Sequence, residues 1–428
     1  RDDLVTGVQT CALPILLQIT IGFIGLTLLA VPLSAKRSAI NYRDILIAIA
    51  FQILLAFALI KVPVIIKIFS YLSEGVIALQ AATTQGTTFV FGYLGGGNAP
   101  FMDGGSGSSL IFAFGILPLI IVMSCLTALL WFWRILPFII RAFSKVFEKL
   151  FNIGGPIGLG ATANIIMGQV EAPLLVRPYL SKMTKKELLI LMTAGMSTVS
   201  GSIMIALVMM LQPQFVDVNL IQHLITASIL SIPAAIMYAN IMIPSNEVTE
   251  FDADAVPKIY ESSMDAITRG TRDGLEIALN VGAILIAFIA LVSLVDSILG
   301  LFPMVGDAPL SLQRILGWIF APIVWLMGVP WSEATEAGKL LGIKTALNEF
   351  VAYAQLAVIE DGLLSDRTKL ITLYGLCGFA NFSSVGILVS GIGAMSPERK
   401  KDLIDISIKA LVGATLASCM TGLVIGIF

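Results

Sequence analysis

The stretch "GGPIGLGATANIIMGQVEAP" (Gly154–Pro173) decides the fold. It is rich in glycine, its only charged residue is Glu171, and it carries Asn164 and Gln169 close to that glutamate. Glycine and proline interrupt helices, and the freed backbone groups are tolerated at membrane depth only inside protein or beside a wet cavity. An ionisable side chain in such a place indicates a functional site. A second interrupted segment, "KTALNEFVAY" (Lys344–Tyr353), carries another glutamate in the other half of the chain.

The composition is that of a helical membrane protein. The chain has 428 residues, of which 57% are hydrophobic and 13% charged, against about 25% charged in soluble domains. The apolar runs are long and continuous, which indicates spanning helices rather than the alternating strands of a membrane barrel. A net charge of −2 gives no nucleic-acid footprint, and one histidine with four scattered cysteines favours neither a multi-histidine metal centre nor a disulfide framework.

We predict about eight membrane-spanning helices from runs of about 20 apolar residues. They are Leu16–Leu33, Ile45–Ile60, Leu110–Trp133, Leu188–Leu211, Leu220–Ile243, Ile277–Leu301, Leu370–Ala394 and Leu403–Phe428. Between them we predict interfacial helices at Val64–Leu79, Arg134–Phe151 and Leu312–Val329, an aqueous loop at Gly92–Ser109, and a charged, mostly soluble segment at Ser245–Asp273.

Basic residues set the predicted orientation. Most of them fall in Lys36–Arg43, Arg134–Lys186, Lys258–Arg272 and Arg399–Lys401, which share one side if the chain crosses eight times and both interrupted segments dip in and return. The positive-inside rule makes that side cytoplasmic and places both termini in the periplasm. Four basic residues within Lys339–Lys369 fall on the other side, so the rule favours this orientation without proving it.

The first fifteen residues, "RDDLVTGVQTCALPI", do not have the basic-then-apolar order of a signal peptide. We interpret residues 1–15 as a non-native tail and give them no functional role.

The two interrupted segments occupy matching places in the two halves of the chain. The segment with "GQVEAP" (Gly168–Pro173) precedes a span with a polar interior, "AGMSTVSGS" (Ala194–Ser202). The segment with "NEFVAY" (Asn348–Tyr353) precedes a span with "CGFANFSSVG" (Cys377–Gly386), and each half closes with one more span. Three crossings separate the two copies, so the second is inverted. Inverted repeats with broken helices that meet at mid-membrane are typical of secondary transporters.

On these residues the chain resembles the concentrative nucleoside transporter family, bacterial branch, from about Ile15 to Phe428. The most specific stretch is "GIKTALNEFVAY" (Gly342–Tyr353). Gly155–Tyr179 and Cys377–Ile387 also resemble the family closely. The predicted fold is therefore an all-α polytopic membrane protein with two re-entrant helical hairpins in an inverted repeat.

The resemblance implies a homotrimer in the lipid bilayer of the bacterial inner membrane. Each protomer would import nucleosides such as uridine together with sodium, by an elevator-type movement of a transport domain against a scaffold. The hairpins would be about Gly154–Leu180 and Pro330–Asp361. The implied division is scaffold helices at 16–133, a first transport repeat at 134–243, an interfacial segment and scaffold span at 244–309, and a second transport repeat at 310–428.

The resemblance also implies roles for particular residues. The implied substrate-binding residues are Gln169, Val170, Glu171, Glu349, Phe379, Asn381 and Ser384. Gln169 and Glu171 would contact the base and Glu349 the ribose, while Val170 stands where relatives often have threonine. Sodium is the only ion that the resemblance implies, and it implies no other cofactor. The side chains of Asn164 and Thr198 and backbone carbonyls around Thr193 and Val199 would hold it.

Plainer interpretations remain open at this stage. Glu171 could pair with Arg177 or Lys182, and Glu349 with Lys344, as structural ion pairs. Gln169 could be a helix cap, Asn381 and Ser384 interhelical hydrogen-bonding groups, and the small residues near Thr198 a packing surface. A proton could replace sodium as the coupling ion, carried by Glu171. A channel with re-entrant loops is a weaker alternative, and an intramembrane enzyme is disfavoured because no Ser-His or Cys-His pair is available.

Overall fold

The computed structural model describes residues 2–98, 111–151, 153–215, 218–245, 247–249, 259–305 and 309–428, with the side chains of 2–14 and of Pro213 left aside. The described part of the chain is almost entirely helical. Its α-helices are α1 Asp2–Ala30, α2 Tyr42–Lys61, α3 Pro63–Phe91, α4 Phe112–Gly115, α5 Leu117–Phe132, α6 Ile135–Phe151, α7 Gly155–Ala163, α8 Glu171–Leu175, α9 Lys185–Ser197, α10 Gly201–Leu211, α11 Leu220–Met242, α12 Ser263–Leu299, α13 Leu312–Leu326, α14 Trp331–Ala346, α15 Glu349–Ala357, α16 Asp366–Leu376, α17 Phe382–Met395 and α18 Lys400–Ile425.

Eight segments of the described chain are long and apolar enough to cross a membrane. Seven of them coincide with predicted spans, and the eighth is Pro63–Gly95. The predicted span Leu370–Ala394 is instead divided into α16 and α17, because residues 377–381 leave the helical conformation. The predicted span Leu188–Leu211 is likewise divided into α9 and α10, with residues 198–200 between them. Both divisions fall in the polar stretches that the sequence marked.

The segment predicted as a short interfacial helix, Val64–Leu79, lies inside the 29-residue helix α3. The helix continues past Leu79 because the threonines that follow satisfy their own hydroxyl groups. Thr83 and Thr84 donate to the carbonyls of Leu79 and Gln80, one turn back. The helix is long enough to cross a bilayer, and its interfacial placement stays a prediction.

The loop predicted at Ser245–Asp273 ends earlier than expected. Helix α12 begins at Ser263, and its first three turns contain the charges that had indicated a soluble segment. Ser262 caps this helix by accepting from the backbone N–H of Asp265 at 3.1 Å. Most of the predicted loop at Gly92–Ser109, from residue 99 onward, lies outside the described residues, as do residues 250–258.

The two halves of the chain repeat one order of elements. A helical hairpin (α7 and α8, then α14 and α15) is followed by a broken span (α9 and α10, then α16 and α17) and by a continuous span (α11, then α18). Helix α18 packs against α9, α11 and α16, so the last span lies between the two repeats. Helix α13 packs along α14 and is bent from it by 117°.

Helices α5 and α12 pack closely against each other, and α5 also contacts α10 of the first repeat. Gly270 and Gly274 of α12 lie directly against Ser124 and Ile121 of α5, close enough that a Cβ atom at either glycine would meet its neighbours at less than 3 Å. By contrast, α1 packs on α18 and α13, and α2 packs on α11. The first two helices therefore contact the repeats, and the division of the chain at residue 133 stays a prediction.

Candidate functional site

The two broken spans cross each other at their breaks. Gly378 lies in the second break with φ +120°, a conformation that residues with a Cβ rarely adopt. A Cβ atom at this position would lie 2.7 Å from the carbonyl carbon of Ser197, the last residue of α9. Glycine thus permits backbone-to-backbone contact at the point where both helices are interrupted.

The tip of the first hairpin is fixed to the first break. The backbone N–H of Gly201 donates to the carbonyl of Ile166 at 2.8 Å, and that of Val199 donates to the Ser228 hydroxyl at 3.3 Å. Backbone groups freed by the interruption are therefore paired inside the protein, as a membrane interior requires.

A cavity of about 270 Å³ lies between the two hairpin tips. Its walls are the tip of the first hairpin, the tip of the second hairpin, the first turns of α10 and α17, and one face of α12. Every predicted substrate-binding residue lines it: Gln169, Val170, Glu171, Glu349, Phe379, Asn381 and Ser384. The structure therefore brings together, from three interrupted elements, residues that lie up to about 200 positions apart in sequence.

The second hairpin contributes Glu349 as the first residue of α15. Its neighbour Asn348 caps that helix by accepting from the backbone N–H of Val351 at 3.0 Å. Asn381 donates through Nδ2 to Oε2 of Glu349 at 3.0 Å, and its Oδ1 accepts from the backbone N–H of Ser384 at 2.9 Å. Asn381 is thus the N-cap of α17 rather than part of the helix, and the cap orients its amide toward the carboxylate.

The first hairpin contributes Gln169 and Glu171. Gln169 donates through Nε2 to the Ser384 hydroxyl at 3.2 Å, which connects the hairpin tip to α17. Its Oε1 is buried and has no hydrogen-bond partner in the described chain. Glu171 accepts from the backbone N–H of Gly168 at 3.1 Å. Val170 packs against Gly391 of α17, where a Cβ atom would lie 2.9 Å from its methyl group.

The structural ion pairs that the sequence left open do not form among the described residues. The ion pairs found within 4 Å join other groups, and neither Glu171 nor Glu349 takes part in one. The ammonium of Lys344 instead donates to the carbonyl of Gly375 at 3.0 Å. Both glutamates are thus available to a ligand, in a cavity where an unpaired polar group is costly.

The predicted sodium ligands lie beside the first break. Asn164 ends α7 and donates through Nδ2 to the carbonyl of Gly160 at 3.0 Å, while its Oδ1 is fully buried and unpartnered within the described chain. The Thr193 hydroxyl oxygen is in the same condition. Thr198 donates its hydroxyl proton to the carbonyl of Ala194 at 3.0 Å, which leaves its oxygen able to accept a cation. Neutral hard oxygens of this kind suit sodium, so the residues present fit the ion.

Asn348 is a cavity residue that the sequence interpretation missed. It is 5% exposed, and its Nδ2 has no partner among the described residues. It directly precedes Glu349 in the "NEF" stretch, so its position in the sequence already indicated a place near the cavity. Asn280 of α12 also lines the cavity and lay unnoticed within a predicted span.

Two helical hairpins that meet at broken helices, around a cavity lined by two carboxylates and several amides, define a secondary transporter. Comparison with known proteins gives its family. The chain matches the families described as Na+ dependent nucleoside transporter N-terminus over residues 21–94 and C-terminus over residues 223–426, and the family described as nucleoside recognition over residues 113–214.

The chain is similar over its whole length to known transporters. It is 34% identical over 414 residues to the nucleoside permease NupC of Helicobacter pylori, covering 95% of this chain and 96% of that protein. It is 33% identical to solute carrier family 28 member 3 of Homo sapiens, covering 92% of this chain and 57% of that protein. The structure of CNTnw in an inward-facing substrate-bound state matches with a TM-score of 0.87 and 35% identity, covering 96% of this chain and 99% of CNTnw. The chain belongs to the concentrative nucleoside transporter family, and it is a multi-pass membrane transporter of nucleosides, not an enzyme.

Proposed function

We propose that this protein is a sodium-coupled symporter that imports nucleosides across the bacterial inner membrane, with both termini in the periplasm. The observation that supports this most directly is a cavity lined by Gln169, Glu171 and Glu349, beside side-chain oxygens of Asn164 and Thr193 that have no hydrogen-bond partner among the described residues. The family description as Na+ dependent supports the choice of ion.

A nucleoside is neutral, flat and polar, so its hydrogen bonds to water must be replaced in the cavity. Gln169 offers a free acceptor and Asn348 a free donor, which suits the mixed edge of a base. Glu349, held by Asn381, would accept from the ribose hydroxyls, and Glu171 from a ring N–H. Charge-assisted bonds of this kind are roughly twice as strong as neutral ones. Phe379, which is 6% exposed, offers a ring face to the sugar or base.

Sodium, when bound, would supply a positive charge at the end of α9, where the last carbonyls of the helix lack intrahelical N–H donors. The side chains of Asn164, Thr193 and Thr198 would hold it. Asn164 lies four residues before Gly168, whose N–H bonds Glu171, so an ion at Asn164 orders the hairpin tip that reads the nucleoside. This places ion binding and substrate binding on one short segment.

The transport movement we propose is an elevator-type shift of the two hairpins, their broken spans and the helices packed on them, against the pair α5 and α12. The structural relative CNTnw is described in inward-facing and outward-facing states, which supports alternating access. Many apolar side chains of α12 are exposed in the single chain, among them Ile286 and Leu294. A homotrimer built on this helix would cover them from lipid.

Radiolabelled uridine uptake into proteoliposomes tests the function. An inward sodium gradient is expected to drive accumulation above equilibrium, and replacement of sodium by choline is expected to abolish it at two pH values. Accumulation that follows a proton gradient and ignores sodium would instead support the proton-coupled alternative, with Glu171 as the carrier. Uptake that only equilibrates would support a channel.

Replacement of Asn164 by alanine is expected to raise the sodium concentration for half-maximal uptake at least tenfold. The change removes one of few oxygens available to the ion, and a loss of about 1.4 kcal/mol corresponds to a factor of ten. Sodium titration of uridine uptake measures it. Asn240→Ala is the matched control, because Asn240 also has a buried amide oxygen without a partner in the described chain but lines a different cavity. An unchanged sodium titration in Asn164→Ala would remove this residue from the proposed ion site.

A further inference from the structure

Lys344 is a buried cation that has no role in the proposed binding of nucleoside or sodium. Its side chain is 0% exposed. Its ammonium donates to the carbonyl of Gly375 at 3.0 Å and takes part in no ion pair within 4 Å in the part of the chain described. Burying a charged lysine in this way costs free energy, so we expect its charge to have a structural or functional role.

The position of the ammonium is the C-terminal end of a half-helix. Gly375 lies in the last turn of α16, which ends at Leu376, and the final carbonyls of a helix lack intrahelical donors. A positive charge is favourable there, because the helix dipole is negative at this end. Lys344 therefore stabilises a helix end that lies inside the membrane.

The first repeat has the same helix end but no lysine. There α9 ends at Ser197, and the predicted sodium ligands surround that end. Thr193 lies four residues before the end of α9, and Thr372 lies four residues before the end of α16. Both hydroxyl oxygens are buried without a partner among the described residues. Corresponding helix ends therefore differ between the two repeats. The end of α9 has oxygen ligands that suit a dissociable cation, whereas the end of α16 has the ammonium of Lys344.

The charges near the breaks give this difference a consequence. Among the acids and bases of the hairpins and broken spans, Glu171, Lys344 and Glu349 lie at the hairpin tips next to the breaks, whereas Glu336 and Lys339 in the middle of α14 pair with each other. With both glutamates ionised, this group carries one net negative charge. One bound monovalent cation cancels it.

We propose that Lys344 is a built-in counter-cation: with both glutamates ionised, it leaves one net negative charge at the hairpin tips, which a single sodium ion neutralises in the loaded form. This rests on the proposed symport. The loaded domain then crosses without opposing the membrane potential, and the empty domain returns carrying one negative charge, a step that an inside-negative potential favours. One elementary charge moved through about 100 mV changes an equilibrium by a factor of about 50, so the sign and size of this charge matter for turnover.

The test separates the loaded step from the empty step. In proteoliposomes with sodium and uridine on both sides, exchange of labelled for unlabelled uridine uses only the loaded step. Wild-type exchange is expected to be unchanged when valinomycin and potassium impose an inside-negative potential of about 100 mV, while net uptake is accelerated. In Lys344→Met, which keeps an unbranched side chain one atom shorter and without charge, exchange is expected to slow at least about threefold on imposing the same potential.

Lys339→Met is the matched control. Lys339 lies on the same helix α14 and pairs with Glu336 at 2.6 Å near the surface, so its loss leaves the charge near the breaks unchanged. Its exchange is expected to stay insensitive to potential. A purely structural role for Lys344 would lower the rate at every potential alike, and that result would overturn the proposal.

Two further outcomes bear on the same proposal. Wild-type exchange that slows under the imposed potential would overturn it without any variant, even if Lys344→Met does not fold. A failure of the proposed function can be distinguished from a failure of this proposal. If protons rather than sodium support exchange, the proton replaces sodium as the coupling ion. The same test of exchange under an imposed potential is then made with protons.

Discussion

Replacement of Glu349 by glutamine is expected to lower nucleoside uptake at least about a hundredfold, because the ribose loses a charged acceptor. Glutamine keeps the shape of the side chain but presents one carbonyl oxygen and an NH₂ group. Asn381 donates to Glu349 at 3.0 Å. In the variant, the amide oxygen of the glutamine either accepts this bond and is lost to the sugar, or points away and leaves its NH₂ group facing the NH₂ group of Asn381. Either arrangement leaves a buried polar group without a partner, at a cost of about 1–3 kcal/mol, in addition to the weaker bonds to the sugar.

The measurement is the concentration dependence of uridine uptake, with 2′-deoxyuridine and 3′-deoxyuridine as competitors. The variant is expected to lose most of the preference for the ribonucleoside, since the group that distinguishes the hydroxyls is gone. Glu336→Gln is the matched control, because Glu336 lies on the same hairpin and pairs with Lys339 away from the cavity. Wild-type uptake by Glu349→Gln, or an unaltered preference for ribose, would place the sugar elsewhere.

The general architecture was accessible from sequence because membrane helices are constrained so strongly. An apolar run of about 20 residues has few alternatives, and a glycine-rich interruption that contains an acid has fewer. Gly154–Pro173 and Lys344–Tyr353 therefore predicted the two hairpins, whose helices the structure gives as α7 with α8 and α14 with α15. The same argument brought Glu171 and Glu349 to one cavity.

Hydropathy was less informative about where a helix stops. Leu370–Ala394 has the composition of a span, but Gly378 leaves the helix because another backbone lies against it, and no local pattern reports that contact. Helix α3 continues beyond the predicted end at Leu79 through a polar stretch in which Thr83 and Thr84 donate to carbonyls of their own helix. In both cases the contact made by a backbone or hydroxyl group, which the local sequence does not reveal, determines where the helix ends.

Individual polar atoms were the least predictable part. Asn348 and Asn381 both cap helices with their amide oxygens, which fixes the direction of each amide nitrogen. Sequence places such a residue near a site but does not reveal which of its atoms the backbone uses. The same limit explains why Thr193 was predicted as a backbone ligand while its hydroxyl oxygen is the atom without a partner in the described structure.

Replacement of Gly378 by alanine is expected to destabilise the protein strongly. Its φ of +120° is strained for any residue with a Cβ, at a cost of about 1–3 kcal/mol. The added carbon would also lie 2.7 Å from the backbone of Ser197 and 2.8 Å from the carbonyl oxygen of Met196. Neither neighbour is a side chain that can rotate away, so one broken span must shift against the other, which adds about 1–3 kcal/mol.

A total of about 2–6 kcal/mol is comparable with the entire stability of many proteins. Thermal unfolding in detergent, followed by the fraction that remains monodisperse, is expected to occur about 2–6 °C lower in Gly378→Ala than in the wild type, because about 1 kcal/mol corresponds to about 1 °C in a chain of this length. Gly386→Ala is the matched control: Gly386 lies in the adjoining helix α17, and a Cβ atom there meets nothing within 4 Å. Because Ser197 ends α9 beside the proposed ion ligands, any Gly378→Ala protein that folds is expected to need more sodium for half-maximal uptake, as well as to unfold at a lower temperature. Unchanged melting and unchanged sodium activation together would mean that the two breaks do not touch, and the cavity between the hairpin tips would then need another explanation.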